Sequence, residues 1–113
     1  MEIDVEIIDN SKEFLEALPA AIEAGLTAIG LVAEGYAKER CPVDTGRLRN
    51  SITNAVDESE QAVYIGTNVE YAPYVELGTT KMGARPFLGP AASQHSDEYK
   101  ALLDAAMRSD LNT

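Results

Sequence analysis

Tryptophan is absent from this chain, cysteine and histidine occur once each, and acids outnumber bases by nineteen to nine. Each scarcity removes a class of function. A lone Cys41 leaves no disulfide framework and no thiolate metal site. A lone His95 leaves no paired-histidine metal spacing, and one turn before Tyr99 it reads as a partly exposed helix residue rather than a ligand or base. The net charge of −10 argues against a protein that grasps nucleic acid, which needs a basic face. The longest apolar run, residues 17–33, is interrupted by Pro19, Glu23 and Thr27, so no membrane span is expected. The N-terminus is acidic and lacks the apolar segment of a signal peptide. No Gly-rich phosphate loop or nucleophile elbow occurs. Neither a cofactor nor a metal is expected, and a reducing cytoplasm suits the single thiol.

With 113 residues, 45% apolar and 25% charged, the chain has the composition of one soluble globular domain spanning 1–113. Residues 2–9 alternate acids with Ile3, Val5 and Ile7, the pattern of a half-buried strand. Asn10 and Glu13 form a capping box. It opens a helix that runs to about Arg40 and stops at Cys41-Pro42, with Pro19 as the point where it can kink or break.

That helix carries an apolar stripe of Leu15, Leu18, Ile22, Leu26, Ile29, Ala33 and Tyr36, with Glu16, Glu23, Glu34 and Lys38 opposite. Ala21, Gly25, Ala28, Val32 and Gly35 make a second, small-residue face. It suits either the chain's own C-terminal helix or another subunit. Residues 51–57 and 61–67 read as a hairpin joined by Asp57-Glu58-Ser59-Glu60. A short helix over 71–77 has Pro73 in its first turn and Gly78 at its end. After a polar, mobile loop at 79–84, Pro86 and Phe87 re-enter the core and a last helix buries Tyr99, Leu102, Leu103 and Ala106. The fold class is α+β: a small antiparallel sheet packed against a long N-terminal helix and a C-terminal helix.

Asp44-Thr45-Gly46 is the tripeptide of retropepsin-like proteases, which pair two such carboxylates across a dimer. The flanks speak against it. Pro42 is unsuited to the central strand that would have to precede Asp44, and Arg47 and Arg49 would keep both aspartates ionised. The alternative is a helix start, with Thr45 capping a helix over 46–52 and Asp44 bonded within the turn.

Charge is unevenly spread. Residues 77–96 contain no acid but include Lys81 and Arg85, and residues 38–49 carry four bases against Glu39 and Asp44. Lys81 and Arg85, with Arg47 and Arg49, are therefore the candidate partner-binding residues. Tyr71, Tyr74, Leu77 and Phe87 are expected to cluster beneath the 79–84 loop. In so acidic a chain the tyrosines read as packing residues rather than a base-stacking platform.

Three blocks in this order and spacing resemble one family: Pro42-Val43-Asp44-Thr45-Gly46-Arg47-Leu48-Arg49-Asn50-Ser51-Ile52; Ile65-Gly66-Thr67 leading into Tyr71-Ala72-Pro73-Tyr74-Val75-Glu76-Leu77-Gly78-Thr79; and Arg85-Pro86-Phe87-Leu88-Gly89-Pro90-Ala91. Together they are similar to the gene-product-ten-like family of tailed bacteriophages, named after a protein of phage Hong Kong 97. The resemblance covers about residues 26–107. Gly89 departs from it, standing where family members often carry a larger or charged residue.

The resemblance implies a non-catalytic structural protein of a siphophage neck or upper tail, acting in tail completion or head–tail joining. It further implies several copies in a ring around the tail axis, other neck and tail proteins as partners, no sequence-specific nucleic acid and no membrane. The protein would be found in the virion, and in the host cytoplasm during assembly. Asp44, Thr45, Gly46, Tyr71, Tyr74, Gly78, Pro86 and Phe87 are then structural motif positions. Rival classes are the homodimeric aspartic protease through Asp44 and a small regulatory binding module that never enters a virion.

Overall fold

A computed structural model describes residues 11–43 and 46–111. The expected strand at 2–9, and Asp44 and Thr45, lie outside the described residues. The element order is α1 (Ser11–Arg40), α2 (Arg47–Ser51), β1 (Thr53–Asp57), β2 (Ala62–Gly66), α3 (Ala72–Leu77), α4 (Leu88–Ser93) and α5 (Ser96–Leu111). The sheet is a single antiparallel hairpin in which Thr53 faces Gly66 and Asp57 faces Ala62. These elements have the α+β arrangement expected from the sequence.

α1 is the spine and runs through Pro19 as one helix. Its deepest positions are Ala21, Gly25, Leu26, Gly30, Ala33 and Ala37, a row lying between the two faces read from sequence. The reason is that α1 is covered from two directions. A Cβ on Gly25 would sit 2.6 Å from Leu103 Cδ1 and 3.2 Å from Leu103 Cα on α5, and one on Gly30 would sit 2.6 Å from Asn54 Oδ1 on β1. Small residues occupy the seams where neighbours come closest. At Gly25 the small-residue face thus packs on the chain's own C-terminal helix, while Gly35 has open space around it. By length and composition alone Glu16–Arg40 is enough to cross a membrane, contrary to the sequence expectation, but in this fold it is sandwiched between the hairpin and α5.

The core lies at the C-terminal end of α1. Ala37 and Cys41 meet Leu48 and Ile52 from the α2 region, Val69, Ala72 and Val75 from around α3, and Phe87 and Ala91 from around α4. Phe87 and Ile52 are its largest fully buried side chains. Burial pushes the Cys41 thiol pKa up, against a smaller opposing pull from Arg49. That keeps the single thiol protonated and inert.

The C-terminal region is two helices rather than one. Gln94 N–H closes α4 on Pro90 O, and Tyr99 N–H opens α5 on His95 O. His95 therefore sits in the turn between helices, not within one. Its ring stacks on Tyr36 with centroids 3.6 Å apart, Arg40 donates to Gln94 Oε1 at 2.7 Å, and Tyr36 hydroxyl donates to Glu98. These contacts pin the turn to α1, and α5 then runs back antiparallel along it. The described molecule is elongated, 62 × 23 × 20 Å.

Candidate functional site

The three sequence blocks converge on one end of the spine. α2 starts at Arg47, with Gly46 before it in the left-handed region at φ 82° and no side-chain cap bond. The helix therefore begins one residue later than expected, and the segment leading to it descends from a helix, not from the apolar strand that a protease dyad requires. Arg47 reaches from the first block to the second, donating to Glu70 Oε1 at 3.2 Å and Oε2 at 2.9 Å. Its guanidinium also lies 5.4 Å from the Tyr71 ring centroid. Both ends of the Arg47–Glu70 pair are exposed, so it adds little stability and mainly fixes geometry. Ser51 and Thr67 hydroxyls bond across the same seam, and Thr67 Oγ1 accepts Val69 N–H at 3.1 Å.

The second and third blocks are joined by Glu76. Its Oε1 accepts Phe87 N–H at 3.0 Å and Leu88 N–H at 2.8 Å, and its Oε2 accepts Gly89 N–H at 3.0 Å. These are the free donors at the start of α4, which a side-chain acceptor must satisfy. Burial works to raise the Glu76 pKa, but the three N–H donors together outweigh it and hold the carboxyl below its ordinary value. A Cβ on Gly89 would stand 3.1 Å from Glu76 Oε2. The departure at Gly89 is thus suited to the carboxylate beside it.

Between these blocks the chain folds the 79–84 loop. Arg85 N–H donates to Val75 O at 2.8 Å, closing the base of the loop. Within it Thr79 N–H donates to Met82 O at 2.8 Å, and Thr79 Oγ1 accepts the N–H groups of Lys81 and Met82 at 3.2 and 3.0 Å. Gly78 has φ +80°, and a Cβ there would lie 2.7 Å from Ala84 N, so glycine is required on both counts.

The aromatic cluster expected under the loop forms only in part. Phe87 is fully buried and Tyr71 is half-buried against the core, but Tyr74 is 59% and Leu77 78% exposed. α3 has room for one inward face, and Ala72 and Val75, three residues apart, occupy it. Tyr74 and Leu77 therefore point outward, and Pro86 is exposed as well. Together with Met82 and Val43, also exposed, they give this end apolar surface. Beside it a groove of about 470 Å³ is lined by Val69, Ala72, Pro73, Leu77 and Leu88, among others.

Lys81, Arg85, Arg49 and Arg47 are all exposed. Arg47 is engaged with Glu70, whereas Lys81, Arg85 and Arg49 have no carboxylate in ion-pair range among the described residues. Sequence reasoning missed Glu70 and Glu76, because their partners lie 11 to 23 residues away. No group of His, Cys, Asp and Glu among the described residues could hold a metal ion.

Comparison with known families gives a match over much of the chain. Residues 6–78 fit the HK97-gp10-like family model, described as "Bacteriophage HK97-gp10, putative tail-component". The match takes in the first block and the second as far as Gly78, while Glu76 within it holds the third. No curated protein and no solved structure matches the chain. Because the match spans well over half of its residues, this chain belongs to the HK97-gp10-like family of bacteriophage tail components.

Proposed function

We propose that this chain is a structural protein of the phage neck or upper tail that completes the tail or joins it to the head. It acts in several copies around the tail axis and performs no catalysis. The observation that carries this reading is the construction of the α3–α4 end. Glu76 and Arg47 lock the three blocks into a fixed frame, and that frame presents exposed Tyr74, Leu77 and Met82 beside Lys81 and Arg85, which have no carboxylate partner among the described residues. A frame of that kind suits assembly: burying the apolar side chains supplies affinity, and the cations select the partner and the register. The acidic body suits a position near packaged DNA, because like charge disfavours adhesion to phosphate.

The experiment is interruption of the gene in the phage or prophage that encodes it, followed by electron microscopy of the lysate. Filled heads and tails lying apart, or tails of uncontrolled ends, are the expected result. Normal particles at wild-type titre would overturn the reading.

A further inference from the structure

The two ends of the spine differ in charge and shape. Six of the nine Lys and Arg residues fall between positions 38 and 85, and the frame built there holds Lys81, Arg85 and Arg49 without a carboxylate partner among the described residues. Toward the other end, where the hairpin tip meets the first half of α1, lies a groove of about 290 Å³. Pro19, Ile22 and Leu26 give it apolar walls, and Glu16, Glu23 and Glu58 give it charge. No base lines it. Glu23 and Glu58 face each other across it, and the hydrogen bond and like charge from Glu58 push the Glu23 carboxyl pKa up. Two acids in mutual contact are relieved by a cation brought against them.

From the level of Leu26 to that of Cys41, α1 advances about 22 Å. The two surfaces are therefore well separated along the long axis and cannot meet within one chain. The two surfaces are complementary: an exposed loop with cations and apolar side chains on one side, an apolar groove edged with carboxylates on the other.

We propose that the Lys81–Arg85 loop of one copy docks into the Glu16/Glu23/Glu58 groove of the next, with Met82 entering against Pro19 and Ile22. The occupant of the groove is thus a second copy of this chain. The contact is heterologous, joining different surfaces of identical subunits, and such a contact closes into a ring when its rotation permits. The inference rests on the tail-component reading and specifies the joint that would build its ring.

The test uses the purified full chain in sedimentation velocity at low and high salt. Wild type associates as concentration rises, more weakly at high salt. Lys81→Glu with Arg85→Glu weakens association roughly tenfold or more, and Glu23→Lys with Glu58→Lys does the same. All four side chains are exposed, so each variant keeps the wild-type circular dichroism. The four substitutions combined restore association. Mixed Lys81→Cys and Glu58→Cys chains, oxidised together, form a cross-linked pair. Wild type that stays monomeric with no cross-link overturns the proposal, as does association indifferent to both reversals or a quadruple variant without restoration. Particles that contain the protein without the 81–58 cross-link would overturn this joint and leave the tail role standing. Absence from particles would instead overturn the tail role.

Discussion

Glu76 satisfies three backbone donors with one carboxylate, so its removal strands the start of α4. Glu76→Ala is expected to cost about 2 kcal/mol, the scale of hydrogen bonds to a charged group, and to lower the melting temperature by on the order of 10 °C. The pH dependence follows from the depressed carboxyl. A carboxyl held lower in the folded chain than in the unfolded one stabilises above the unfolded value, ~4.3, and that contribution fades as pH falls through the folded value. Wild type should therefore lose its advantage over Glu76→Ala as the solution is acidified below about pH 4. Melting curves of both proteins across that range check it. Phe87 fills the centre of the same frame at 0% exposure, and Phe87→Ala is expected to cost about 3–5 kcal/mol. Denaturant titration reads that loss directly, and a change below about 1 kcal/mol would contradict its place in the core.

At the scale of elements, the glycines of α1 separate packing from propensity. Gly35 has nothing near its missing side chain, so Gly35→Ala should stabilise by up to about 1 kcal/mol through helix propensity alone. Gly25 meets Leu103 side chain and backbone, so Gly25→Ala should destabilise despite the same propensity gain. Melting temperatures that move in opposite directions are the expected signature. The sequence made α1, the hairpin and α3 legible, because apolar period, turn residues and the Pro73–Gly78 pair are local signals. The face of α3 was not legible. Large apolar side chains favoured Tyr74 and Leu77, whereas the spacing of Ala72 and Val75, together with the tight base formed by Arg85 and Val75, set which side turns inward. The division of the last helix at His95 was likewise hidden, since it depends on Tyr36 and Arg40 from α1.

At the scale of the whole molecule, the charge map read from sequence locates the exposed cations, and the fold adds what they sit on. The acid-free segment could be seen in the chain; the carboxylate that organises it, Glu76, could not, because it acts across the fold. The groove at the opposite end depends on residues from α1 and from the hairpin tip, brought together only by packing. A variant with Lys81→Glu and Arg85→Glu is expected to fold as wild type yet be depleted from particles at least tenfold, since the substitutions reverse the charge of the proposed docking surface without touching the core. Immunoblots of purified particles against total lysate measure that depletion.

Quantitative mass spectrometry of purified phage particles tests the account most directly. If the chain is a component of the neck or upper tail, its peptides persist through purification at a fixed ratio to the other tail proteins, several copies per particle. They also fractionate with tails or necks when particles are dissociated. Particles of full infectivity that contain none of the chain, or contain it only in amounts that wash away, would contradict the account.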